Sequence, residues 1–192
     1  MYKILGKYDI IIRAYTVTLN THLKKKGVFT MKTLVVYYSQ HETTKAVAEF
    51  VAKELQADIE EIKDEENRKG VIGFIKSGRQ AMGGLSAKIG KINSKVEDYD
   101  LVIIGTPIWA GRTSSPVNAF LSDFGAKIKN YGVIMTHGSG TNDYASVTEI
   151  FASKIKKPAF AFVSMSTKTV KSNDFTAAKD FASKLRNFES NQ

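Results

Sequence analysis

The chain has 192 residues, of which 43% are hydrophobic and 24% charged, the proportions of one globular domain. It contains no cysteine, which excludes disulfides, thiolate catalysis and cysteine-ligated zinc or iron–sulfur centres and favours a cytoplasmic location. No run approaches the roughly 20 apolar residues of a membrane span. The net charge is +9, but only five of the 28 basic residues are arginine and no basic, aromatic stripe accompanies them, so nucleic-acid binding is not predicted.

Residues 1–30 differ from the rest of the chain, because they hold six basic residues and one acidic residue and show no regular pattern. They are predicted to be an N-terminal extension, which is an extra strand, a disordered tail or leader sequence that the cell does not translate. Lys26, Gly27 and Val28 can be encoded by AAA-GGA-GTN, which contains the GGAG of a bacterial ribosome-binding site. Met31 is therefore the expected natural start, and the intact mass of the native protein tests this hypothesis.

From Met31 onward, predicted strands and helices alternate. Continuous apolar and aromatic runs predict buried strands, and a shorter alternating run predicts an edge strand: the buried strands are 33–38, 101–105, 131–135 and 159–163, and the edge strand is 57–62. Amphipathic patterns predict five helices. One begins near Thr44, one begins at an N-cap Ser115, and the other three span 71–82, 143–155 and 173–187. This alternation predicts a parallel sheet with helices on both faces. Such sheets bind ligands at the carboxyl ends of their strands, so the candidate loops are 39–44, 106–114 and 137–142.

The first of these loops carries three hydroxyl side chains, Ser39, Thr43 and Thr44, at the start of a predicted helix. A helix N-terminus has free N–H groups and a partial positive charge, which favours binding of a phosphate. The alternative is that Ser39 and Thr44 only cap the helix. Because one hydroxyl suffices for a cap, three hydroxyls favour the anion site.

The second loop contains Trp109, the only tryptophan of the chain, followed by Ala110 and Gly111. A tryptophan at a strand end can cover a flat aromatic ligand, while a glycine lets the backbone approach that ligand closely. The alternative is a hydrophobic plug that closes the end of the sheet. The third loop, 136–142, is small and polar, so it either presents N–H groups to a ligand or simply turns the chain.

Together the three loops resemble those of a known family. The segment 36–48 resembles the FMN-phosphate loop of flavodoxins, and 103–111 resembles the second flavin loop of a bacterial and archaeal branch of that family. Gly138, Ser139 and Gly140 match the third loop of the same branch. The resemblance runs from Met31 to about Leu185.

This resemblance implies an α/β fold, a three-layer flavodoxin-like sandwich with a five-stranded parallel sheet of order 2-1-3-4-5. It also implies a domain over 31–192 that binds FMN non-covalently. The resemblance implies three sets of cofactor-binding residues. The residues that would hold the phosphate, with His41 close by, are Ser39, His41, Thr43 and Thr44, and those that would line the ring are Thr106, Pro107, Ile108, Trp109, Ala110 and Gly111. Those that would contact the other edge of the ring are His137, Gly138, Ser139 and Gly140. No metal site and no catalytic side chain is predicted.

The first loop departs from the family pattern, because His41, Glu42 and Thr43 replace the usual threonine, glycine and asparagine. A Glu42 carboxylate pointing into the site would repel a phosphate, whereas one turned to solvent would not. In the third loop, His137 stands where the branch often has glycine.

The predicted function is electron transfer by a flavodoxin-like protein. The alternatives are an FMN-dependent NAD(P)H:quinone-type reductase and a flavin-free binding module of the same fold. The expected partners are redox proteins or a small electron acceptor, and the expected assembly is a monomer or a homodimer.

Overall fold

A computed structural model describes residues 31–66, 83, 86–138 and 143–190. Its centre is one sheet with five parallel strands, in the order β2-β1-β3-β5-β6, and one short antiparallel strand, β4, that pairs only with β3. The strands are β1 (Thr33–Tyr37), β2 (Asp58–Glu61), β3 (Leu101–Trp109), β4 (Arg112–Thr113), β5 (Tyr131–His137) and β6 (Ala161–Ser166). The predicted parallel order is confirmed, while the predicted count of five strands is corrected to six.

Helices cover both faces of this sheet. They are α1 (Thr43–Leu55), α2 (Ser115–Phe124), α3 (Thr148–Ile155), α4 (Thr167–Lys171) and α5 (Thr176–Ser190), with 3₁₀ turns at Val96–Asp98, Gly125–Lys127 and Ala145–Val147. The helices α1 and α5 pack together on one face, where the rings of Phe50 and Phe175 stack at 4.8 Å. The opposite face carries a core cluster in which Phe120 of α2 and Phe151 of α3 are fully buried. No helix in the described residues is long and apolar enough to cross a membrane.

Several predicted boundaries move in the structure. The strand predicted at 159–163 begins at Ala161 and continues to Ser166, because Val163 and Met165 alternate with serines that the apolar pattern does not count. The helix predicted at 143–155 begins with a 3₁₀ turn, and its α-helical part starts at Thr148.

Two helix starts are also corrected. Ser115 lies inside α2, and the N-cap is Ser114, whose own hydroxyl lies 3.2 Å from that of Thr106. The helix predicted from residue 173 begins at Thr176, where the Asp174 carboxylate accepts the N–H of Thr176 at 3.1 Å. The predictions for the helix 71–82 and for residues 1–30 lie outside the described residues.

Candidate functional site

The main cavity of the described residues opens where four parallel strands, β1, β3, β5 and β6, end. Its volume is about 550 Å³, within the roughly 300–1,000 Å³ of small-molecule sites. It is lined by the last residues of β3 and β5 and by residues that follow β1, β5 and β6: Ser39, Gln40, His41, Thr43, Thr44, Pro107, Ile108, Trp109, Thr136, His137, Gly138, Thr167 and Lys171. The predicted location at the carboxyl edge of the sheet agrees with this cavity.

One end of the cavity is formed by the start of α1. This helix has neither a capping side chain at its N-cap nor an acidic residue in its first turn. The hydroxyl oxygen of Ser39 is buried and has no hydrogen-bond partner within the described part of the chain. A buried hydroxyl without a partner costs free energy, and Ser39 lines the same cavity as Thr43 and Thr44 in the first turn of α1. The N–H of Thr43 donates to the carbonyl oxygen of His41 at 2.7 Å, and a helix gives the N–H groups of its first turn no intrahelical partner. This end of the cavity is therefore suited to an anion with several acceptor oxygens.

The side chain of Thr44 packs against the sheet and is hydrogen-bonded to it. Its hydroxyl lies 2.7 Å from that of Thr136 on β5, and both side chains are buried. The close approach of α1 depends on Gly105, where an added Cβ would lie 2.8 Å from Tyr37 Cβ and 3.2 Å from Thr44 Cγ2. When Thr136 donates and Thr44 accepts in this bond, the Thr44 hydroxyl keeps its own proton to donate to a ligand.

Glu42 does not enter the cavity. It is the N-cap of α1 with φ 59°, a left-handed conformation that favours glycine, which is the residue found here in the family pattern. Its side chain is 74% exposed and its carboxylate pairs with Lys45 Nζ at 2.8 Å. The hydrogen bond and the charge of Glu42 raise the pKa of Lys45. The carboxylate is therefore turned away from the anion end of the cavity.

The second predicted loop is a β-hairpin. The strand β3 continues to Trp109, which pairs with Arg112 of β4, and the turn between them has φ 49° at Ala110 and φ 75° at Gly111. Two successive positive φ values are typical of the type I′ turn, which matches the twist of paired strands. The segment 106–114, predicted as a loop, therefore consists of the end of β3, a two-residue turn, β4 and the N-cap Ser114 of α2.

This hairpin divides the residues predicted to contact the flavin. Pro107, Ile108 and Trp109 line the cavity, and the ring of Trp109 meets Tyr38 edge-on with 5.7 Å between ring centroids. Ala110 and Gly111 instead border a second cavity, against the start of α3. Thr106 is fully buried and its hydroxyl accepts the N–H of Ser114 at 3.1 Å, so it holds the base of the hairpin and does not line the main cavity.

The end of β5 supplies the other wall. Side chains alternate along a strand, so Thr136 faces α1 whereas His137 faces the opposite side, where its ring lies 5.0 Å from that of Tyr144. His137 is only 8% exposed, and its Nδ1 has no hydrogen-bond partner in the described ranges. Gly138 also lines the cavity, and Ser139 and Gly140 lie outside the described residues. The cavity thus has a hydroxyl-rich end at α1 and an aromatic end at Trp109.

Sequence reasoning missed four lining residues, Gln40, Thr136, Thr167 and Lys171. Thr167 and Lys171 belong to α4, which directly follows β6. Because every parallel strand of a sheet ends at the same edge, the segment after the fifth parallel strand was a fourth place to search. The serines at the end of β6 hid where that strand stops.

The described lining residues include no aspartate or glutamate, but they include one lysine and two histidines. No group of three or more histidine, aspartate or glutamate side chains in the described residues could hold a metal ion. The charge of the lining therefore matches an anionic ligand.

Comparisons with known proteins agree with this geometry. A family model described as Flavodoxin matches residues 32–173. The flavoprotein of Lactobacillus acidophilus NCFM, solved in complex with FMN, has a TM-score of 0.61 and 21% identity, covering 74% of this chain and 98% of that one. A flavodoxin, WrbA-like protein from Agrobacterium tumefaciens has a TM-score of 0.53 and 22% identity, covering 83% and 97%.

A flavodoxin of Megasphaera elsdenii, solved in the two-electron reduced state, has a TM-score of 0.53 and 14% identity, covering 81% of this chain and 98% of that one. At such identities these likenesses establish a shared fold. A search of curated proteins found no match.

Proposed function

The chain belongs to the flavodoxin family, and we propose that it binds FMN non-covalently in the cavity and transfers electrons through it. The observation that carries this proposal is the buried, unpartnered hydroxyl of Ser39 beside the uncapped start of α1, at one end of a cavity whose other end is aromatic. These described residues fit a ligand with a phosphate at one end and a flat ring at the other.

The phosphate end of the site is proposed to consist of Ser39, Thr43 and Thr44, with His41 close by. The hydroxyls and the N–H groups at the start of α1 donate to the phosphate oxygens. Thr44 can do so while keeping its bond to Thr136. Glu42 does not oppose this binding, because its carboxylate is exposed and paired with Lys45.

The ring end is proposed to consist of Pro107, Ile108 and Trp109, facing His137 and Gly138. Ser139 and Gly140 remain proposed contacts. Bound FMN supplies the electron-transfer chemistry, whereas the protein excludes water from the ring, stacks against it and provides hydrogen bonds. Thr106, Ala110 and Gly111 are proposed to act through the hairpin, by setting where Trp109 lies.

The proposal is tested by the flavin absorbance of the purified protein and by titration of the flavin-free protein with FMN and riboflavin. We expect FMN to bind much more tightly than riboflavin, which lacks the phosphate. Ser39→Ala should weaken FMN by about 1 kcal/mol, the value of a hydrogen bond, while Ser122→Ala on exposed α2 surface should not. A folded protein that binds neither flavin would refute the proposal, and equal affinities would refute the phosphate site.

A reductase is the second candidate function, and the buried His137 favours it. His137 lines the cavity, and its buried Nδ1 has no hydrogen-bond partner among the described residues, so the imidazole can still donate or accept a hydrogen bond there. A two-electron reductase would catalyse the reaction of NAD(P)H, a quinone and one proton to give NAD(P)⁺ and the hydroquinone. Rapid NAD(P)H oxidation that requires a quinone would favour this function, whereas reduction in two separate one-electron steps without such activity would favour a carrier.

A further inference from the structure

The short helix α4 is fixed firmly at the edge of the cavity. Its N-cap, Ser166, accepts the N–H of Thr169 at 3.1 Å, and the hydroxyl of Thr167 donates to the carbonyl oxygen of His137 at 3.0 Å. Val170 of the same helix is buried, and the helix also contacts α1. The last residue of the helix, Lys171, is therefore presented at a defined place in the lining.

Lys171 has no ion-pair or hydrogen-bond partner among the described residues, and its side chain is exposed to the cavity mouth. The other lysine near the start of α1, Lys45, is neutralised by Glu42 at 2.8 Å and is not part of the lining. The described lining offers no acidic side chain to neutralise Lys171. This leaves one lysine charge directed at the cavity.

We propose that Lys171 is the counter-charge of the FMN phosphate, an inference that rests on the proposed function. A phosphate monoester carries about −1.5 to −2 charges at pH 7, and a helix N-terminus supplies only about half a positive charge. The hydroxyls of the first loop are neutral donors. Lys171 therefore adds a full positive charge that an FMN site built from that loop alone would lack, and it raises the preference for FMN over riboflavin.

The experiment compares flavin-free wild type with Lys171→Gln, Lys171→Arg and Lys168→Gln. Lys168 is the matched control, because it is an exposed lysine on the same helix that does not line the cavity. The dissociation constants of FMN and riboflavin are measured by flavin fluorescence at several salt concentrations, and thermal unfolding of each variant confirms folding.

We expect Lys171→Gln to weaken FMN binding about three- to tenfold at low salt, as for loss of a partly exposed charge-assisted contact. Riboflavin affinity should change less than about twofold, since riboflavin lacks the charge that the lysine meets. FMN binding should also depend less on salt in Lys171→Gln than in wild type, while Lys171→Arg and Lys168→Gln behave like wild type.

A Lys171→Gln protein with wild-type FMN affinity and salt dependence would overturn the inference while the proposed function stands. Equal losses in Lys171→Gln and Lys168→Gln would overturn it as well, because they would reflect only the general surface charge. A wild type that binds neither flavin, or both equally, would refute the proposed phosphate site and with it this inference.

Discussion

The hydrogen bond between Thr44 and Thr136 joins the first turn of α1 to β5 beneath the candidate phosphate site. The two hydroxyl oxygens lie 2.7 Å apart, and the residues are 1% and 3% exposed. Thr→Val keeps the shape of each side chain but removes its hydroxyl. A double-mutant cycle of Thr44→Val, Thr136→Val and the double variant therefore isolates this contact.

The structure predicts a strongly non-additive cycle. Each single variant leaves the other hydroxyl buried without this partner, which costs about 1–3 kcal/mol. The double variant leaves neither, and replacement of both partners by apolar groups of similar shape is nearly neutral. If each single variant loses about 1.5 kcal/mol and the double variant is nearly neutral, the coupling free energy is about 3 kcal/mol in magnitude.

Urea unfolding of the four flavin-free proteins, followed by far-UV circular dichroism, gives these free energies. FMN titrations then separate stability from binding: Thr44→Val and the double variant should lose about 1–2 kcal/mol of FMN affinity, and riboflavin affinity should change less. Losses of stability that simply add would refute the reasoning, because they would mean that the two hydroxyls do not depend on each other in solution.

Three further predictions concern other parts of the chain. Trp109→Ala should brighten the fluorescence of bound flavin and weaken FMN by about 0.5–1.5 kcal/mol beyond the lost contact area, because a stacked indole is removed; unchanged fluorescence would place the indole elsewhere. Burial raises the pKa of Glu60, but hydrogen bonds from Ser94 and Asn93 outweigh it and hold the pKa below its ordinary value. Glu60→Gln should therefore unfold more easily in urea near neutral pH, and its deficit should shrink as the pH falls through that lowered pKa; a pH-independent deficit would contradict this. A chain that begins at Met31 should bind FMN as tightly as the full chain, as measured by the same titration. Weaker FMN binding by the shortened chain would indicate that the first thirty residues contribute to binding.

The parallel strands β1, β3 and β5 could be predicted because they are buried along their length and therefore show unbroken apolar runs. The strand β3 shows this well as far as Gly105, beyond which it continues through Thr106 and Pro107 to Trp109. Those last residues were predicted as a loop because a polar threonine and a proline interrupt the apolar run, and because the turn at Ala110 lacks the usual asparagine or aspartate. The hairpin was thus hidden by its composition.

The position of the site was predictable, but the bonds inside it were not. The sequence shows hydroxyl side chains at Ser39 and Thr44, directly after a predicted strand and at the start of a predicted helix, where an anion site is expected. The partner of Thr44 lies 92 residues away on β5, and only the register of the folded sheet brings Thr136 opposite it. Lys171 was missed for a similar reason, because its place depends on where β6 ends.

Glu42, which stands where the family pattern has glycine, allows a last test. Its backbone has a left-handed conformation with φ 59°, which is unfavourable for a residue other than glycine and which the sequence alone does not show. A left-handed non-glycine residue costs about 1–2 kcal/mol. Glu42→Gly removes this cost, but the more flexible unfolded chain takes back about 0.5–1 kcal/mol and the lost Lys45 pair about 0.2–0.5 kcal/mol. Gln56, at the other end of α1 with φ 52°, is a matched site without such a pair.

We therefore expect Glu42→Gly to raise the free energy of unfolding by less than about 1 kcal/mol, and Gln56→Gly by slightly more, because no ion pair is lost there. Glu42→Gly should also bind FMN at least as tightly as wild type, since it restores the family residue and removes a negative charge near the phosphate end, whereas Gln56→Gly should leave binding unchanged. Urea unfolding and FMN titration measure both quantities. A Glu42→Gly protein that loses stability while Gln56→Gly gains it would show that the conformation at Glu42 is not strained, and that its pair with Lys45 is what holds the start of α1.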